Sequence, residues 1–163
     1  MFRILAAILA LGALAAAALI GTGTGASAQS PGGRTISVTE LEKGSTFKHV
    51  RNTKPKSPRA NSLGDVLVFT NPLADASGQV VGKLHATCAT TVGARNFLKS
   101  AITCHGAAVL RDGTLTWQAA FKVGASTVNG AITGGTGAYA NARGVLVSKE
   151  DRSGTHDTIT LAG

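Results

Sequence analysis

Residues 111–123 read Arg111-Asp112-Gly113-Thr114-Leu115-Thr116-Trp117-Gln118-Ala119-Ala120-Phe121-Lys122-Val123. Asp-Gly between two apolar runs is a tight-hairpin signal, because both residues tolerate the backbone angles such a turn needs. From Thr114 onward, Leu115, Trp117, Ala119 and Phe121 recur at every second position. A period of two puts them on one face of a strand; a helix needs a spacing of three or four. The stretch therefore predicts a hairpin whose second strand runs from Thr114 to Val123.

The same reading extends both ways. Upstream, Phe97 to Leu110 is the first arm of the hairpin. Gly93-Ala94-Arg95-Asn96 turns the chain before it, and Val80 to Thr91 precedes that turn. Asp65 to Thr70 is an earlier strand, ended by Asn71-Pro72, with Asp75-Ala76-Ser77-Gly78 as its turn. Ile36 to Leu41 alternates and reads as the first strand. Between these two, residues 43–62 are rich in Lys, Arg, Ser, Asn and Pro. Pro55 and Pro58 oppose regular structure there, so the segment reads as a long basic loop.

Downstream lie Thr127 to Thr133, Gly144 to Lys149 and Thr155 to Leu161. Gly134-Gly135-Thr136-Gly137 marks a bend or bulge. No sustained helical period occurs in this region. About eight short strands fit an all-β fold: an eight-stranded antiparallel up-and-down β-barrel, with a two-sheet sandwich as the alternative. An eight-stranded barrel has a bore filled by side chains or wide enough for one small ligand.

The chain opens Met1-Phe2-Arg3, runs uncharged from Ile4 to Ile20, and reaches Ala26-Ser27-Ala28. A positive start, an apolar run and an A-x-A site predict a signal peptide over residues 1–28. The run is richer in Ala and Gly than in Leu and Ile, and no basic flank follows to stop transfer, so no membrane span is expected after its removal. Residues 29–35 then form a flexible leader, and residues 36–163 the barrel domain. The expected location is extracellular or periplasmic. The leaving segment carries one charge, Arg3, so the remainder keeps 15 basic and 8 acidic side chains. Nucleic acid is not the expected partner, since the chain is exported and few aromatic residues (five Phe, one Trp and one Tyr in the full sequence) offer little surface on which to stack bases.

Cys88 and Cys104 are the two cysteines. Export into an oxidising space and an even count predict a disulfide between them. They flank Asn96 symmetrically, so the two antiparallel strands would bring the sulfurs opposite each other. Closing such a loop stabilises a fold by about 3 kcal/mol in the chain-entropy picture. A zinc site built from His85, Cys88, Cys104 and His105 is disfavoured, because strand neighbours Cys104 and His105 point to opposite faces. No metal and no cofactor are expected.

Two further motifs lack the context their chemistry needs. Gly135-Thr136-Gly137-Ala138-Tyr139-Ala140 has the form G-x-G-x-x-A, but a dinucleotide site needs it between a strand and a helix. Ser153, His156 and Asp157 are close in sequence without a spacing that implies a triad.

The stretch Asn61-Ser62-Leu63-Gly64-Asp65-Val66-Leu67-Val68-Phe69-Thr70-Asn71 resembles the allene oxide cyclases, and the likeness continues through Val81-Gly82 to Cys88. Ala131-Ile132-Thr133-Gly134-Gly135-Thr136-Gly137-Ala138-Tyr139 is similar to a phrase of the dirigent proteins, which share the same barrel. The resemblance covers residues 36–161. It implies an apolar cavity, a homo-oligomer, and control of a reactive intermediate by shape, either as an isomerase of the cyclase type or as a dirigent protein. It implies a small apolar partner, fatty-acid-derived or phenolic. Carried over by position, Glu40 answers to the first-strand glutamate and Asn71 to a cavity asparagine, which makes them the candidate catalytic pair. Leu67, Phe69, Asn71, Trp117 and Phe121 are the candidate cavity lining. Glu42 stands where the cyclases have a water-binding Asn, and Phe121 where they have a Tyr. A fold hosts many functions, so a non-catalytic binding or cell-envelope module on the same barrel is the second reading. The plainer alternatives are an exposed Glu40 beside Lys43, and an Asn71 that merely turns the chain before Pro72.

Overall fold

A computed structural model describes residues 33–54, 57 and 59–163. The expected signal segment 1–28, most of the leader, and both Pro55 and Pro58 lie outside the described residues. Among the described residues nine strands occur: β1 (Thr35–Glu40), β2 (Thr46–Val50), β3 (Val66–Ala74), β4 (Val80–Val92), β5 (Ala101–Leu110), β6 (Gly113–Lys122), β7 (Thr127–Gly135), β8 (Gly144–Asp151) and β9 (Gly154–Leu161).

Each strand from β3 to β9 pairs antiparallel with the next, as short turns between successive strands require. β1 pairs with β9 along its whole length, and its end also pairs with β3 through Thr39–Ala74 and Glu40–Leu73. This second pairing closes the sheet into an eight-stranded antiparallel barrel made of β1 and β3–β9. Closure removes the free edges of the sheet except at the break between β1 and β2, where the start of β9 passes the last β1 pair at Glu40–Thr155.

The ninth strand corrects the sequence reading. Residues 43–62 are not wholly irregular: Thr46–Val50 forms β2, which pairs with the first half of β3 from Thr46–Thr70 to Val50–Val66. β1 and β2 therefore lie end to end along the same edge of β3. Residues 41–45 swing out between them, opposite Asn71 and Pro72. The signal is weak because Thr-Phe-Lys-His-Val has only exposed or partly buried residues and gains its pairing from a distant partner.

Two further boundaries differ. β3 does not stop at Asn71-Pro72 but runs through to Ala74. Proline is tolerated there because Pro72 needs only its carbonyl, which accepts from the Leu41 amide at 2.9 Å. Phe97–Lys99 is a single 3-10 turn rather than the start of a strand, capped by the Asn96 side chain, and β5 begins at Ala101.

Inward positions alternate as the pattern of two demands. Leu115, Trp117 and Ala119 of β6 are buried, and Phe121 packs against the same core. Leu67, Cys88 and Cys104 lie in one cross-strand row with Ala119. Cys88 and Cys104 face each other and are joined by a disulfide with no exposed surface. The neighbouring row places Gly106 beside Trp117, where an added Cβ would lie 2.7 Å from the indole ring and 2.4 Å from the His85 carbonyl. The wide indole fits because position 106 has no side chain.

At one end of the barrel Tyr139 is drawn into the core. After β7, Gly137–Tyr139 makes a 3-10 turn that buries Tyr139. Gly137 has φ +60°, a conformation that favours glycine. The bulge expected near Gly134 is present: Thr116 pairs with Gly134 and Trp117 with Ile132, leaving Thr133 as the extra residue. At the other end the chain is stapled from outside. Asp65 accepts from the amides of Asn52 and Ser62 and from His49 Nε2. Asn61 donates to Ser100 and accepts from Thr90, all three buried. The Asn61–Asp65 motif thus ties the loop before β3 to β4 and β5.

Candidate active site

β1 carries Ile36, Val38 and Glu40 on its inner face, since alternate residues share a side. On β9 the inward set is Asp157, Ile159 and Leu161, all buried. Val38 sits directly opposite Asp157, which sets Glu40 diagonally beside that carboxylate. Ser148 of β8 pairs with Asp157 from the other side. Asn71 comes from β3, two residues from the Leu73–Glu40 contact toward the split in the first stave, and so on the same face as Leu73. Its Nδ2 donates to Glu40 Oε2 in a short hydrogen bond.

Two carboxyl groups in one small space cannot both ionise cheaply. Burial raises the pKa of Glu40 first, and the charge of Asp157 raises it further. The hydrogen bond from Asn71 opposes both, and the contact with Asp157 adds to the rise. The result is about 7 against an ordinary 4.5. Burial also raises Asp157, but hydrogen bonds from Ser148 and Glu40 and the nearby His156 work against it. Glu40 is therefore the group that keeps a proton near neutrality, and Asp157 the one that accepts from it. One oxygen of Asp157, Oδ1, is buried without a hydrogen-bond partner, as is Trp117 Nε1 deeper in the barrel.

Glu40 and Asn71 open onto a cleft of about 590 Å³. Its walls are the 41–45 excursion and the β8–β9 hairpin, and its lining includes Thr39, Ser45, Ser153 and Thr155. The cleft exists because β2 leaves β9 unpartnered beyond Glu40. The hairpin wall is ordered by its own contacts: Ser153 donates to Asp151, and His156 bridges Ser153 Oγ at 2.9 Å and Thr39 Oγ1 at 3.0 Å. Ser153 and His156 thus touch, while Asp157 points away from them into the barrel, so the three do not form a triad.

Of the residues singled out from sequence, Glu40 and Asn71 meet. Neither of the plainer alternatives for them holds: Glu40 is turned inward rather than paired with Lys43, and Asn71 is within a strand. Leu67 and Trp117 are core residues of the inner face, and Phe69 and Phe121 are partly buried against them. The 590 Å³ cleft is lined by none of these four. Cys88 and Cys104 are bonded to each other, and His85 and His105 lie on the outer face, so the four do not converge.

The sequence profile of the dirigent-like proteins matches residues 35–162. The chain belongs to the dirigent-like family. No curated protein matches it in sequence. Among solved structures, this dirigent-like barrel is similar to pyocyanin demethylase, with a TM-score of 0.64 at 21% identity over 79% of this chain and 100% of that one. It is similar to a pterocarpan synthase dirigent protein, with a TM-score of 0.57 at 18% identity over 80% of this chain and 84% of that one. An exo-specific intermolecular Diels–Alderase gives 0.51 at 16% identity over 80% and 100%. At such identities the likeness is one of fold.

Asp157 and Ser148 are the site residues that sequence reasoning missed in this dirigent-like barrel. The signal was available: Thr155-His156-Asp157-Thr158-Ile159-Thr160-Leu161 alternates, and Ile159 and Leu161 mark the inward face on which Asp157 also falls.

Proposed function

We propose that this protein is an exported dirigent-like barrel that binds one small, largely apolar molecule at its open end. Glu40 there transfers a proton to or from an oxygen of that molecule. The observation that carries the reading is the Glu40–Asn71 pair beside Asp157, at the floor of a cleft large enough for a small ligand. An acid whose pKa lies near the working pH is both protonated often and a ready donor, which is the condition for efficient general acid–base catalysis. Protonated Glu40 would give its proton to an oxygen developing negative charge, such as a phenolate, an enolate or an opening epoxide. Asp157 stabilises the proton on Glu40 beforehand, and Asn71 fixes the orientation of the carboxyl group.

The rest of the effect would come from shape, because holding one conformer of a reactive intermediate selects one product. The names of two similar structures, a pterocarpan synthase and a Diels–Alderase, belong to ring-forming catalysts and agree with this class of chemistry. Phenolic and fatty-acid-derived molecules are the substrates to test. Phe121 lacks a hydroxyl, so Glu40 is the acid on which this reading depends.

Native mass spectrometry of the chain purified from its host tests the binding. The reading expects a retained small-molecule mass, displaced by phenolic or fatty-acid analogues. Absence of any retained mass, with no shift from either series, would contradict it.

A further inference from the structure

We propose that the rim around the β3–β6 side of the open end docks on a lipid surface that carries anionic headgroups. The rim is built from three segments: the described residues between β2 and β3, the β4–β5 connection and the β6–β7 turn. They are fixed to one another. Asn61 and Ala94 exchange both backbone hydrogen bonds, the Phe97 amide donates to the Arg59 carbonyl at 2.8 Å, and Val123 donates to Ser100 at 2.9 Å. Gly124 packs against Leu98, whose Cδ2 lies 3.4 Å from where a Cβ would be.

Charge and hydrophobicity coincide there. Residues 43–64, 91–100 and 121–127 contain no Asp or Glu. They present Lys48, Lys54, Arg59, Arg95, Lys99 and Lys122, all exposed. Of the two carboxylates at their borders, Asp65 is buried and fully engaged by neighbouring donors, and Glu42 is exposed on the cleft side. The same segments leave Phe47 (64% exposed), Leu63 (66%), Leu98 (61%) and Val92 (57%) uncovered. Such a cluster of large exposed apolar groups is what an interaction site leaves uncovered.

The combination selects the occupant. A soluble polyanion would satisfy the cations and leave Phe47, Leu63 and Leu98 in water. An anionic bilayer satisfies both, with lysines and arginines at the headgroups and the apolar tips in the interface. The acidic residues of this end, Glu42, Glu150 and Asp151, lie on the cleft side. The domain therefore meets the surface tilted, with the cleft side raised.

Sedimentation with vesicles tests this on the chain as recovered from its host. Vesicles of phosphatidylcholine are compared with vesicles containing about one third phosphatidylglycerol. The proposal expects binding to the anionic vesicles alone, weakened by high salt because exposed charges are screened. Leu63→Ser with Leu98→Ser removes two exposed side chains and leaves the core untouched. This variant is expected to bind at least roughly tenfold more weakly, since each leucine loses its burial in the interface. Arg95→Glu with Lys99→Glu should abolish binding. No sedimentation with anionic vesicles would overturn the proposal. So would a leucine variant that binds as tightly as the parent, whether a soluble polyanion such as dextran sulfate or another part of the chain accounts for the binding.

Discussion

The Asn71 amide donates to the Glu40 carboxyl across the point where the first stave of the barrel is broken. That single contact joins two features of the fold. The break between β1 and β2 opens the cleft, and β3 continues past Asn71-Pro72 to bring the amide beneath it. Without the second feature Asn71 would be a turn residue in solvent.

Glu40 makes stability depend on pH with a definite sign. Its folded pKa is raised to about 7 from 4.5. Between those values the folded chain holds more protons than the unfolded chain, so stability falls as pH rises. Asp157, also raised, acts in the same direction. Glu40→Gln keeps an acceptor for Asn71 and removes the charge. The variant should match the parent near pH 4 and exceed it near pH 8, by at most about 3 kcal/mol. Urea unfolding across that range checks this. A parent that grows more stable from pH 5 to 7, with a variant that follows it, would count against the assignment.

Asp65 behaves oppositely. Burial alone would raise its pKa, but the amides of Ser62 and Asn52 and the His49 side chain outweigh burial and hold it below the usual value. Its contribution is present above the ordinary carboxylate range and is lost as pH falls through the lowered value. Asp65→Asn keeps the volume but replaces one acceptor oxygen by an amide donor among the three donors Ser62, Asn52 and His49. We expect a loss of about 2–4 kcal/mol at neutral pH, as for a broken buried network. Thermal unfolding measures it, and a change below about 0.5 kcal/mol would show that the loop holds without this staple.

Gly106→Ala tests the packing of the indole. The new methyl would meet both the His85 carbonyl and the Trp117 ring. Overpacking of this kind costs about 1–3 kcal/mol. Trp117 is the only tryptophan, so its fluorescence reports the displacement directly. An unchanged spectrum and melting temperature would refute the close approach.

The Cys88–Cys104 bond closes 16 residues of chain. Replacing both cysteines by Ser should lower stability by about 3 kcal/mol. Equal melting of the parent with and without reductant would contradict the bond.

The barrel was legible because its strands alternate and its turns are marked by Gly, Asp and Asn. The pairing of Cys88 with Cys104 followed from their symmetry about Asn96. β2 was not legible, since the five residues Thr46–Val50 lack an apolar face and are held by β3. The limit placed at Pro72 failed because a proline can remain in a strand where only its carbonyl is used. Glu40 and Asn71 were found through resemblance, and their contact depended on the β1–β3 closure. Asp157 was within reach of the alternation in β9 but was read only as a member of a possible triad.

The central claim is that Glu40 is an acid that keeps its proton near neutral pH. The chain has three glutamates, Glu40, Glu42 and Glu150, so carboxyl carbon resonances in a glutamate-labelled sample can be assigned by substitution. A titration followed by NMR should show one glutamate with a midpoint near 7, absent from Glu40→Gln. Three glutamates titrating together between about 4 and 5 would contradict the account.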